Sequence, residues 1–259
     1  MLVISVLALA LSLGWAIFPS LFTNYPADVG VPADRLQPPS TTHWFGTDYL
    51  GRDTFSRTVH AAGLSLTATA LAVAIAVVIG TSLGVLAGFL GRAVDEVISR
   101  VTDVLLSIPS LLLSMAIITA MGFGTIIVAI AVGISAIASF TRVTRTEVMR
   151  IRHFDFIEAA HGSGISRFKI LVRHALPNAF GPVAALSIVE FGGAVLAVAA
   201  LSFLGFGAQP PTPEWGSMIA EGRDYIATAW WLITLPGLVV VAVVLSANRL
   251  AAEFDRGQA

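Results

Sequence analysis

The sequence predicts an all-α integral membrane protein with six transmembrane helices and both termini in the cytoplasm. Three observations lead there. Of the 259 residues, 56% are hydrophobic and only 12% charged, against roughly 25% charged in a soluble domain. Six apolar segments, at about 2–21, 64–90, 104–121, 125–140, 180–206 and 229–250, approach the roughly 20 residues that cross a bilayer as a helix. With the N-terminus inside, the inner connections collect eleven of the fifteen Lys and Arg residues, leaving Arg35, Arg52, Arg57 and Arg223 outside. The positive-inside rule turns that asymmetry into an orientation.

The first apolar run has no basic flank and no small-residue cleavage site, so it reads as a retained anchor. A long proline-rich outer loop follows and ends in HWFGTDYLGRDTFSR at 43–57. Trp44, Phe45 and Tyr49 suit a segment lying on the outer face. Asp48, Arg52, Asp53 and Arg57 are placed either for ion pairing and helix capping or for contact with a delivered ligand or partner. Residues 1–62 thus hold the first helix and its loop. Residues 63–259 hold a five-helix core with a main cytoplasmic loop at 141–179.

In the second helix Gly80, Gly84 and Gly88 stand four residues apart, a stripe that lets another helix approach backbone to backbone. The third contains Pro109, which removes a backbone hydrogen bond and kinks the helix. The fourth is short and can extend in either direction. The fifth carries Glu190, a carboxylate well inside a span, where a charge costs roughly 2.5–3.5 kcal/mol. Glu190 therefore faces other helices or an aqueous cavity, either as a structural hydrogen-bonding group or as part of a translocation path. Pro210, Pro211 and Pro213 forbid a continuous helix and make an outer loop. There Trp215, Tyr225, Trp230 and Trp231 fit an outer aromatic belt or gate.

Little in the chain points to chemistry. It has no cysteine, which excludes disulfides and thiolate metal sites. It has no GxxxxGKS or GxxxxGKT phosphate loop and no HExxH. The five histidines show no ligand spacing, and Gly133-Ile134-Ser135-Ala136 lacks the second glycine of a serine-hydrolase turn. No cofactor, metal, nucleic acid or catalysis is expected.

The polar exception is the basic stretch 154–178, FDFIEAAHGSGISRFKILVRHALPN. Asp155 can cap a short helix through Phe156, Ile157, Glu158, Ala159 and Ala160. Gly162 and Gly164 offer the left-handed positions where a helix stops. Ser166 can cap a second helix whose polar side carries Arg167, Lys169, Arg173 and His174, and Pro177 ends or bends it.

Glu158-Ala159-Ala160, Gly164, Ile170-Leu171, His174 and Pro177-Asn178 resemble the EAA loop of membrane subunits of ATP-binding-cassette importers. The likeness extends through HWFGTDYLGRDTFSR, DVLLSIPSLL at 103–112, LSFLGFG at 201–207, PPTPEWG at 210–216 and EGRDY at 221–225. Together these resemble the second, C-type permease of dipeptide, oligopeptide and nickel importers. Two features depart from that pattern: Val198 stands where relatives often carry glutamate, and the tail NRLAAEFDRGQA is a reduced version of the usual ending.

The resemblance implies a type I importer permease fold in a bacterial cell membrane, paired with a related B-type permease. It implies two cytoplasmic ATPase subunits that bind ATP and Mg, and an extracytoplasmic solute-binding protein that delivers peptides. Nickel chelates, haem or other small solutes are alternative cargo. Phe156, Ile157, Ala159 and Ala160 would insert into a groove of the ATPase. Glu158 would pair there and Gly164 would allow the sharp exit, with Ile170, His174 and Pro177 completing the coupling element.

Overall fold

The computed structural model describes residues 2–151 and 176–256, with Phe154, Lys169 and Arg173 between them. Among the described residues the regular structure is helical, apart from one isolated bridge between Thr47 and Asp53. The helices are α1 (Leu2–Ile17), α2 (Thr54–Leu90), α3 (Arg92–Ser107), α4 (Ser110–Met121), α5 (Thr125–Ile151), α6 (Leu176–Phe203), α7 (Trp215–Gly222) and α8 (Trp231–Arg256).

Four of them, α2, α5, α6 and α8, are long and apolar enough to cross a membrane. The six spans expected from the sequence are therefore not six long helices. α1 has 16 residues, about 24 Å of helix. The expected third span, 104–121, is broken rather than kinked: α3 and α4 meet at 97°. Pro109 has no N–H to continue α3 and forces Ile108 into an extended conformation, φ −95° and ψ 128°. α4 alone is about 18 Å long, well short of a hydrocarbon core of roughly 30 Å. Counting α3 and α4 as one bent span brings the total to five.

The short fourth segment extends in the C-terminal direction, and α5 reaches Ile151. Its added turns carry Arg142, whose Nη2 donates to Asp103 at 2.7 Å, and Arg145, which holds both carboxylate oxygens of Asp95. These pairs tie α5 to α3. α2 begins earlier than the loop reading allowed. Asp53 caps it by accepting from the Ser56 N–H at 2.6 Å, so Thr54–Arg57 is helix rather than loop. At 37 residues, α2 is about 55 Å long and must tilt or project beyond a bilayer.

The most extensive packing is between α2 and α5, and small residues make it possible. A Cβ on Gly80 would lie 2.5 Å from Phe140 Cβ, one on Gly84 2.6 Å from Thr144 Cβ, and one on Gly88 2.8 Å from Val148 Cγ1. Further along the seam the roles reverse, and a Cβ on Gly133 of α5 would come within 2.8 Å of the Ala72 carbonyl oxygen of α2. α6 packs on both α2 and α5, while α8 joins α6 to α1. Two cores result. One gathers Trp15, Val59, Leu66, Val195, Trp215 and Val243; the other gathers Ala72, Ile118, Val128, Val132, Val198 and Leu201.

The loop-rich end, 18–53 with 204–230, is closed by buried charges. Arg52 and Arg57 are each 1% exposed. Arg52 Nε contacts Asp48 Oδ2 at 2.6 Å, and Arg52 and Arg57 share Glu221 Oε2 at 3.2 and 3.3 Å. Arg57 also donates to the Ala27 and Pro211 carbonyls. Ion pairing and capping thus account for Asp48, Arg52, Asp53 and Arg57. The expected aromatic belt is only half present. Trp230 is 53% exposed, whereas Trp215 is fully buried with Nε1 on the Thr58 carbonyl and Trp231 is buried with Nε1 on the Thr47 carbonyl. These indoles hold the loops to the bundle, since a buried indole N–H needs an acceptor.

This packing can be probed by substitution. Gly84→Val must push apart two backbones, so the purified protein should lose about 1–3 kcal/mol of stability in thermal unfolding, while Gly237→Ala, with nothing near its Cβ, should lose none. Arg57→Ala leaves buried carboxylates uncompensated and should cost about 3–5 kcal/mol. By contrast, Arg223→Ala, exposed and paired only with Asp224, should change stability by less than about 0.5 kcal/mol.

Candidate functional site

Of the coupling-loop residues read from the sequence, Phe156, Ile157, Glu158, Ala159, Ala160, Gly164, Ile170 and His174 lie outside the described residues. Pro177 is exposed in the first turn of α6, where a missing N–H breaks no helical bond. α5 delivers the chain through buried Ile151, and Arg150 lies over the Phe154 ring at 5.5 Å. α6 resumes at Leu176, at the same end of the bundle as α3. Gly80, Gly84 and Gly88, read as a packing stripe, are brought together against α5.

Glu190 sits halfway along α6, on the wall of an open cavity of about 190 Å³ bordered by α2, α4, α5 and α6. Among the described residues its carboxyl has no hydrogen-bond or ion-pair partner, so the structural hydrogen bond to a neighbouring helix is absent from them. Four hydroxyls share the cavity: Ser110 and Ser114 from α4, Ser135 and Ser139 from α5. Ser114 Oγ and Ser135 Oγ are 2.9 Å apart, and each lies 2.9 Å from a carbonyl one turn back, those of Ser110 and Ala131. Alanines and Gly193 line most of the remainder. The serines escaped the sequence reading because they are isolated in apolar runs. The break at Pro109 starts α4 where Ser110 and Ser114 share the cavity with Ser135 and Glu190.

Glu214 and Glu221 also escaped it. Glu214 is fully buried at the N-cap of α7, accepting from the N–H groups of Gly216 and Ser217 at 3.0 and 2.9 Å and from Ser65 Oγ at 3.1 Å. Burial pushes its carboxyl above the usual range, and the two backbone donors pull it back only in part. Its role is to fasten α7 to α2. An acidic residue directly after Pro213 and directly before a helical run was a readable capping signal.

The same architecture and sequence recur in known transport proteins. Residues 80–258 match the model of the family described as binding-protein-dependent transport system inner membrane component. The dipeptide transport system permease protein DppC of Alkalihalophilus pseudofirmus is 41% identical over 235 residues, 91% of this chain and 77% of that protein. The probable D,D-dipeptide transport system permease protein DdpC of Escherichia coli K12 is 39% identical, over 89% of this chain and 77% of its own length. The glutathione transport system permease protein GsiD of an E. coli strain is 39% identical, over 91% and 78%. In three dimensions the chain resembles a chain of the MetNI methionine ABC transporter, with a TM-score of 0.59 and 17% identity over 76% of this chain and 96% of that one. With its all-helical bundle and apolar spans, the chain belongs to the binding-protein-dependent transport system inner membrane components, the multi-pass permease subunits of bacterial ATP-binding-cassette importers.

Proposed function

We propose that this chain is the C-type permease of a peptide importer, carrying dipeptides or oligopeptides delivered by an extracytoplasmic binding protein. The likeness to a dipeptide permease over 91% of the chain carries that reading. A related B-type permease forms the other half of the path, and two cytoplasmic ATPase subunits hold ATP and Mg and supply the energy. This chain does no chemistry of its own. The positive-inside rule puts 92–103, 141–179 and the C-terminal end in the cytoplasm, with the Asp48–Arg52–Arg57–Glu221 cluster outside. A second cargo is favoured by one observation, the 39% identity to a glutathione permease: a thiol tripeptide carried by the same machinery.

The coupling element is the loop between α5 and α6. Phe156, Ile157, Ala159 and Ala160 dock in the ATPase groove, with Glu158 pairing there and Gly164 making the exit. Ile170, His174 and Pro177 lead back into α6. The geometry around the loop supports leverage. α5 is held against α2 without a gap and tied to α3 by Arg142 and Arg145, so a displacement at its C-terminal end moves the bundle rather than bending the helix. Closure of the ATPase pair then becomes alternating access by rigid-body movement. Ser135 and Ser139 place the Glu190 cavity midway along the same helix.

The test is uptake of labelled dipeptide into vesicles containing the complete transporter. Uptake should require ATP and the binding protein, and Glu158→Lys or Gly164→Val should abolish it or prevent assembly with the ATPase while membrane insertion survives. Flux without ATP, or normal uptake by both variants, would overturn the coupling role. Glutathione as competitor decides between the two cargo readings.

A further inference from the structure

We propose that the Glu190 cavity is a mid-membrane subsite for a primary ammonium group, the protonated amino terminus of the peptide in transit. This rests on the peptide-importer reading. The cavity lies halfway along α6, the depth at which transporters place substrate sites. Its polar lining is Glu190 and four serine hydroxyls, with no basic or amide side chain among the described residues. An ammonium group offers three donors and no acceptor, so this lining suits it and offers an anion little. Of Ser114 and Ser135, one hydroxyl donates to the other, which donates to its own-helix carbonyl, so each oxygen keeps at least one lone pair able to accept from a cation.

Glu190 lacks a counter-ion among the described residues. The arginines nearest along α5 are already engaged, Arg142 with Asp103 and Arg145 with Asp95. At this depth a carboxyl without a counter-ion is held neutral by its own proton, and an arriving ammonium group is what favours its ionised form. Space has also been left for it. A Cβ on Gly193 would meet nothing within 4 Å, in contrast to Gly80, Gly84 and Gly88, which are filled by α5. Gly193 is exposed, so the cavity is open on this side.

The size limits what enters. About 190 Å³ is below the roughly 300–1,000 Å³ of pockets that enclose a whole small ligand. It accommodates an amino terminus and its first carbon atoms, while the rest of the peptide extends past the cavity mouth. Such a subsite is indifferent to peptide length and to most side chains, which suits a path whose selectivity is set earlier by the binding protein.

The test measures binding of labelled dialanine to the complete permease–ATPase complex in nanodiscs, without binding protein. Wild type should bind it, and Glu190→Gln and Nα-acetylation of the peptide should each weaken binding about tenfold or more. Gly193→Leu, which fills the cavity and leaves the carboxylate, should do the same, and Glu190→Asp should restore part of the loss. Equal binding by Glu190→Gln, equal binding of the acetylated peptide, or no binding by wild type would overturn the subsite. So would loss of the second permease from the Glu190→Gln complex, which would assign the carboxylate to assembly. If the intact transporter takes up no peptide at all, the peptide reading falls by itself. The subsite is then decided by methylammonium, which wild type must bind more tightly than Glu190→Gln.

Discussion

In a hydrocarbon solvent helices gain nothing by burying apolar side chains against one another, because lipid is as apolar as leucine. What holds them is the density of contact that small residues permit. The seam between α2 and α5 is built on this constraint. Gly80, Gly84 and Gly88 meet Phe140, Thr144 and Val148 one turn after another, and Gly133 returns the arrangement near Ala72. Each position has a residue without Cβ on one side and a side chain or backbone oxygen filling the gap from the other. The two helices thereby behave as one body. The corner to α3, the end of α5 at Ile151 and one wall of the polar cavity are all attached to it.

The loop-rich end is held by a different interaction. Arg52, Arg57, Asp48 and Glu221 are removed from water together, and their attraction must offset several kcal/mol of desolvation per ion. Each guanidinium has a carboxylate, and Arg57 Nη1 donates to the Ala27 and Pro211 carbonyls, while Glu221 Oε1 is left without a hydrogen-bond partner among the described residues. Because the partners come from 27–57 and 211–221, the network joins two loops that are far apart in the chain. Trp215 and Trp231 add indole bonds to backbone carbonyls of 47–58. The result is a lid fixed to the helix ends from which it springs.

Between these two regions lies the cavity, made by an interruption. Pro109 stops α3, turns the chain by 97° and starts α4 partway through the bundle. A continuous helix would have carried Ser110 and Ser114 through a packed seam. The broken one leaves space beside α5 and α6 and lines it with hydroxyls. Irregular backbone within a membrane is tolerated where it borders a cavity rather than lipid, so the break and the polar space account for each other.

How much of this was legible depended on the range of the interaction. Hydropathy is summed over about twenty residues along one helix, so the class, four of the long spans and the polar island at 154–178 could be read directly from the chain. Local rules also located the glycine stripe, since its spacing acts within a few residues, whereas the start of α2 at the Asp53 cap lay inside what read as loop. Whether Pro109 breaks or merely bends its helix was not legible, because that depends on whether neighbours offer packing for a turned segment. Nor was the burial of Trp215 and Trp231, since an interfacial and an anchoring tryptophan share the same local sequence. The partner of Gly84, the pairing of Arg57 with Glu221 and the meeting of Glu190 with four serines join residues up to 164 positions apart. Only the packing of whole helices brings such groups within a few ångströms, so these contacts belong to the folded bundle and to no stretch of the chain read alone.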